Sequence, residues 1–514
     1  MTKLEHIIGI DIGTTSTKVI LFNTVGTAVD QCSVSYLLLS PQAGVQEQNP
    51  EDIYQAVVRS VRTLICAHPE QAKTLIGLSF STAMHSLIAV DQHGVPLTNS
   101  ITWADRRSAP WVNTIRQNCD THALYTRTGL PLHPMSPLVK LVWLRNEKPE
   151  IFQRAAKFIS IKEYMIYRWC QQYVVDYSIA NASGLFNMHT LDWDEEALSL
   201  AEIAPRRLSQ LVPTTHILTS MVPEIASSMG LPATMPVVIG ASDGALGNLG
   251  VGATTPDTVA ITLGTSGALR AMVERPQTDQ KERLFCYALT PERWVIGGAV
   301  NNGGIVLRWV RENLAPTEAD TARLLDQNPY DMLTAIAATI PAGSEGLIFH
   351  PYLAGERSPL WNANARGSFF GLGLNHTKAH MIRAVLEGIV YNLYTVLTAL
   401  EEVIGPAKSI QASGGFARST LWRQMLADIF DRTVMVPQVH ESSCFGAAVL
   451  GLYALGRISD LTQVSELVGE SDRHQPIAQN VSRYQTILPL YIQLLESFTP
   501  LYTDIAKVQA TYQD

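Results

Sequence analysis

The stretches GIDIGTTSTKVILF, from Gly9, and TVAITLGTSGALRAMV, from Thr258, use one device: an alternating strand, a glycine-hydroxyl turn and a return strand. Side chains alternate across a strand, so Ile8, Ile10 and Ile12 share a core face while Gly9, Asp11 and Gly13 share a nearly bare one. In the second copy Val259, Ile261 and Leu263 form the core face, and Ala260, Thr262 and Gly264 the bare one. The turns are Gly13-Thr14-Thr15-Ser16, followed by Lys18, and Gly264-Thr265-Ser266-Gly267. An ordinary short hairpin would place Asn-Gly or Asp-Gly there. A bare face gives a ligand access to backbone N–H groups, which suits phosphate, and one carboxylate beside it suits magnesium. Either copy alone is equally well a solvent-facing hairpin. Two copies, with the acid only in the first, predict two facing hairpins that pinch a polyphosphate.

A chain of 514 residues predicts more than one domain. Strand-like runs (LIGLSFST, SLIAVDQ, MPVVIGAS) alternate with helix-like ones (PEDIYQAVVRSVRTLICAH), the pattern of α/β architecture. The glycine-rich passage GALGNLGVGATTPD, Gly244 to Asp257, reads as a hinge between a domain of residues 1–248 and another of 249–514. A formal charge of −8 without a basic run argues against nucleic acid or an anionic membrane as the main partner. No stretch has the ~18 apolar residues of a membrane span. The start, MTKLEHIIGID, lacks the apolar core of a signal peptide. The six cysteines are scattered without metal-ligand spacing and read as buried free thiols, so a cytoplasmic protein is expected.

Asp243 follows an apolar strand and is flanked by glycine, a good place for a base that accepts a proton from an attacking hydroxyl. Locally, a helix N-cap explains it as well. A third glycine turn, IQASGGFARSTLW, brings Gly414 and Gly415 close to any nucleotide and sets Ser419 one turn into the next helix. His85, Trp103, Asp105, Arg106 and Arg107 form a polar set suited to polyols, with an Asp105–Arg107 structural ion pair as the alternative. Asn301 and Asn302 read as hydroxyl contacts or as turn formers. The chain has neither a GxxxxGK[ST] nor a GxGxxG signature.

Two longer patterns go further. MSPLVKLVWLRNE, with Pro137, Lys140 and Trp143, and GSFFGLGLNHTKAHMIRAVLE, ending at Glu387, are similar to the paired patterns of the FGGY carbohydrate kinases. That resemblance implies two ribonuclease-H-like α/β domains, of the actin/hexokinase ATPase type, around a central cleft. It implies ATP and Mg2+ as cofactors, Asp11 and Asp243 as the metal-associated acids, and Asp243 as the catalytic base. Gly13, Thr14, Thr15 and Lys18 match the first phosphate loop, Gly264 and Thr265 the second. Gly304 and Arg308 match phosphate contacts, and Gly414, Gly415 and Ser419 the adenosine site. Met84, His85, Trp103 and Asp105 match sugar contacts.

Within the family, STAMHS, ITWADRRS, HPMSPL, VNNGGIVLRW and HPYLAGERSPLWN are most similar to gluconate kinases, while Met84-His85 also resembles xylulose kinases. The resemblance thus implies a small sugar acid as partner, neither nucleic acid nor membrane, and leaves a homodimer open. A sugar acid needs a cationic or multiply hydrogen-bonding partner for its carboxylate. His85 or Arg106 is the expected one, with Lys162 in a neighbouring segment.

Overall fold

A computed structural model describes residues 4–437, 441–469 and 471–512. Both predicted hairpins form, and each lies in the middle of its own sheet. In the first, His6–Ile12 pairs antiparallel with Ser16–Asn23, which pairs with Ala28–Ser35; on its other side it runs parallel to Leu75–Thr82, which is parallel to Val237–Ser242. The short Ile217–Leu218 closes that six-stranded sheet. The second sheet repeats the plan with seven strands. Thr258–Leu263 pairs antiparallel with Gly267–Val273 and parallel with Ser409–Ser413. This is the ribonuclease-H-like α/β arrangement, present twice. In each sheet the hairpin's first strand is where antiparallel pairing gives way to parallel pairing. Parallel neighbours end on one side, so chemistry collects at their carboxyl ends.

The isoleucine face behaves as expected: Ile8, Ile10 and Ile12 are buried in one cluster with Leu78, Phe80 and Ile239. Val259, Ile261 and Leu263 enter the largest core of the second half. The bare face of the first strand is a partial correction. A Cβ on Gly9 would lie 2.2 Å from the Cys444 carbonyl oxygen, so at that position a helix, Ser442–Ala454, occupies the bare face. Only the Asp11–Gly13 end remains for a ligand.

The same helix corrects the hinge reading for residues 244–250, while residues 251–257 are turn and loop. Asp243–Gly250 is a helix, buried from Gly244 onward, and it packs along Ser442–Ala454. A Cβ on Gly250 would lie 1.9 Å from the Ser442 carbonyl oxygen, and one on Gly446 2.0 Å from that of Leu246. Glycine is dense here because two backbones touch, with no Cβ between them. Gly446→Ala is therefore expected to cost about 1–3 kcal/mol or more by overpacking. Urea unfolding checks this, and a midpoint equal to wild type would refute the close-approach account.

All six cysteines are free, but only Cys170, Cys286 and Cys444 are buried; Cys66 is exposed on the outer face of the helix Pro50–Ala67. No described helix is long and apolar enough to cross a membrane.

Candidate active site

The parallel register places the acids. Asp11 pairs across from Ser81, and Ser81 from Ala241, so the ends of three adjacent strands bring Asp11, Ser81 and Asp243 to one edge. Ser81 Oγ donates to Asp11 Oδ1 at 2.6 Å. Withdrawal from water, reinforced by the nearby Asp243 charge, pushes Asp11 up to about 7. Withdrawal from water also raises Asp243, opposed first by the Arg270 guanidinium. Two carboxylates withdrawn from water, one of them raised by the other's charge, fit a divalent cation between them.

Asp243 is not the N-cap. Ser242 is, its Oγ accepting from Ala245 N at 3.4 Å, and Asp243 is the first helical residue. The capping alternative for Asp243 falls, because the residue before it has extended backbone and the shorter side chain. Lys162, behind this strand, is buried and spends its ammonium on Asp176 at 2.7 Å and the Ala241 carbonyl at 3.0 Å.

The first hairpin turn is braced from behind. Tyr36 Oη donates to the Gly13 carbonyl at 2.6 Å, Gln48 Nε2 to the Thr14 carbonyl at 2.6 Å, and Trp103 Nε1 to Thr14 Oγ1 at 3.0 Å. Among the described residues the Thr14 and Thr15 N–H groups have no protein acceptor. Lys18 instead forms an ion pair with Glu441 at 2.6 Å, tying the two halves together. In the second turn, Gly264 N–H donates to the Ser266 carbonyl at 2.9 Å. The N–H groups of Gly304 and Ile305 are spent on the carbonyls of Gly264 and Thr265, at 2.7 and 3.0 Å. Gly304 thus secures the loop through its own N–H.

A cavity of about 420 Å³ gathers the rest of the expected nucleotide set. Gly264, Thr265, Gly304, Arg308, Gly415 and Ser419 line it. Gly414 supports it at φ 104°, where a Cβ would meet the Leu263 carbonyl oxygen at 2.4 Å. Ser419 is the N-cap of Thr420–Phe430, not a residue one turn inside it. Asn328, Tyr330 and Arg418 also line the cavity and escaped the sequence reading. The first two come from a helix start more than fifty residues from either glycine turn, without a local signature.

Around the expected sugar contacts, Met84, Trp103, Tyr287 and Trp361 pack on one apolar cluster. Lys140, buried, donates to the carbonyls of His85 at 2.6 Å, Thr102 at 2.7 Å and Ile101 at 3.3 Å, fastening the two sugar segments to each other. His85 is no cation. Its Nδ1 lies 2.7 Å from the Ala182 carbonyl and its Nε2 3.3 Å from Tyr287 Oη, and burial pulls its pKa down to about 3. Asp105 is a structural ion-pair residue: Arg107, with Glu47 on its other side, and the Gln46 N–H take up its oxygens. Asn302 is likewise internal, bonded to Gly355 and Glu356. Arg106 is exposed, on the rim of a second cavity of about 630 Å³ shared with Trp103, His133, Thr265, Asn301 and Arg357. Arg270, on the return strand of the second hairpin, and Arg357, over the Trp103 ring at 5.1 Å, were missed. For Arg270 a signal existed: a lone charge in the otherwise apolar strand GALRAMV.

Residues 6–250 match the family model for the N-terminal domain of the FGGY family of carbohydrate kinases, and residues 259–455 that for its C-terminal domain. The chain belongs to the FGGY family of carbohydrate kinases. The chain is 53% identical to a gluconokinase of Bacillus subtilis over 506 residues, covering 98% of each protein. Among solved structures it superimposes on a gluconate kinase from Lactobacillus acidophilus with TM-score 0.92 at 37% identity, over 98% of this chain and 100% of the other. A ligand-bound xylulose kinase from Lactobacillus acidophilus gives the same values. This carbohydrate kinase thus has two domains, each with a hairpin of the same design in its sheet.

Proposed function

We propose that this kinase transfers the γ-phosphoryl group of ATP to the terminal hydroxyl of D-gluconate, giving 6-phospho-D-gluconate and ADP. The observation that carries the substrate is full-length 53% identity to a gluconokinase of Bacillus subtilis, against 30% to a xylulose kinase of the same organism. Phosphoryl transfer needs positioning and charge stabilisation more than covalent help from the protein. The two hairpins hold the phosphates through backbone N–H groups, while the Gly415 cavity takes the adenosine. Asp243 accepts the proton of the attacking hydroxyl; its raised proton affinity brings it nearer the working pH. Asp11 and Asp243 hold Mg2+, which when bound offsets the negative charge of the phosphate oxygens. The Met84–Trp103–Tyr287–Trp361 cluster gives the sugar carbons an apolar wall.

Xylulose kinase is the second reading, supported by the equal superposition on the xylulose kinase structure. An ADP-release assay over D-gluconate, D-xylulose, D-ribulose and glycerol separates the two. Gluconate should give the highest kcat/KM; a higher value for xylulose would overturn the assignment while leaving the kinase chemistry intact.

A further inference from the structure

We propose that Arg270 is the specificity-determining residue that pairs with the carboxylate of the sugar acid, an inference that rests on the gluconate reading. Arg270 sits on Gly267–Val273, one strand in from the second phosphate turn. Glycines make room for it on two sides. A Cβ on Gly297, its cross-strand neighbour, would lie 2.8 Å from Arg270 Cα and 3.0 Å from its Cγ. A Cβ on Gly244, next to Asp243, would lie 3.2 Å from both Nε and Nη2. The guanidinium is therefore laid beside the base. Its Nε is sealed from solvent without an acceptor, and among the described residues the side chain has neither a hydrogen bond nor an ion pair.

A cation taken out of water is costly to leave unpaired, so a folded chain keeps one where something else completes the pair. The protein's other candidates are already committed. Lys162 is bonded to Asp176, Lys140 to three carbonyls, and Arg107 to Asp105 and Glu47. His85 is neutral, and Arg106 is exposed on the cavity rim. Arg357 also has an orphaned Nε, but it donates to the Val300 carbonyl at 3.2 Å and covers Trp103. Arg270 alone among the unexposed ones makes no side-chain hydrogen bond, and its nearest opposite charge is the Asp243 carboxylate on the same wall. Arg270 also feels the charge of Arg357, which lines the cavity with Trp103, so a bent, acyclic gluconate with its terminal hydroxyl at Asp243 can turn its carboxylate onto this wall. A guanidinium also binds a carboxylate through two parallel hydrogen bonds, which a neutral hydroxymethyl group cannot accept in the same way.

The test compares D-gluconate with D-glucitol, in which a hydroxymethyl group replaces the carboxylate, by calorimetric titration of the full chain without nucleotide. Arg270→Met should weaken gluconate binding about 10- to 150-fold and leave glucitol nearly unchanged, the loss of one charged hydrogen-bonding partner. Arg270→Lys keeps the charge without the fork and should fall between. An unchanged gluconate-to-glucitol ratio in Arg270→Met, or an equal loss on both ligands, overturns the proposal and returns Arg270 to the Asp243 electrostatics or to packing. Retained nucleotide binding and a cooperative melt in both variants keep misfolding apart from lost recognition. Wild-type preference for xylulose over gluconate in turnover is the separate result that removes the gluconate reading itself.

Discussion

Asp243→Asn should lower kcat by about 10²–10⁴ with gluconate while leaving ATP affinity and the melting transition near wild type, the range expected for losing a general base. Stability is spared because Ser242, not Asp243, caps the helix, and asparagine has the same shape. Nucleotide binding is spared because the cavity proposed for adenosine is built from the other domain, at Gly264, Gly304 and Gly415. A pH series adds a check. Asp243 is held above the ordinary carboxylate range by its removal from water, so the acid limb of kcat/KM should lie above that of a solvated aspartate. Turnover within a few-fold of wild type in Asp243→Asn would leave the residue a purely structural role.

Asp11→Asn is expected to make the metal-free protein more stable above neutral pH and the enzyme more demanding of magnesium. Asp11 titrates near 7 in the folded chain against an ordinary 3.8, so between these values the folded state holds the extra proton. Stability from this group is thus complete below the unfolded value and is lost as pH rises through the folded one. The burden at pH 8 is on the order of 4 kcal/mol, from 1.36 kcal/mol per pKa unit. A cation beside Asp11 and Asp243 removes that burden. Melting curves in EDTA and in Mg2+, from pH 4 to pH 8, should show magnesium stabilising wild type most at high pH and Asp11→Asn far less. The variant should need more Mg2+ for half-maximal turnover. If it melts below wild type at pH 8 in EDTA, Asp11 is a structural acid held by Ser81 and not a metal residue.

Much of the frame was legible because it rests on local periodicity. Period-two alternation fixed which isoleucines face the core, and the repeated glycine-hydroxyl turn exposed the duplication. What misled was glycine itself. Gly244, Gly247 and Gly250 read as freedom, yet they lie in a buried helix whose partner, Ser442–Ala454, is about two hundred residues away. The same distant helix covers Gly9. Sequence spacing carries no sign of such a contact. A glycine needed for close approach and one needed for flexibility look alike until the neighbour is known.

Charge shows the same division. By itself, the sequence put Asp11 and Asp243 at strand ends, and the family resemblance paired them; the parallel register of three remote strands brought them to one edge. The sequence did not determine which ionisable residues stay free. His85 and Asp105 were reasonable sugar contacts as residue types; the fold gave His85 the Ala182 carbonyl and Tyr287, and Asp105 the Arg107 guanidinium. Arg270 attracted no notice in the sequence, and the fold left it without a hydrogen-bond partner beside Asp243. Local pattern sets where a side chain points. Whether its hydrogen-bonding capacity is already used depends on groups brought in from remote parts of the chain, and only tertiary structure decides that.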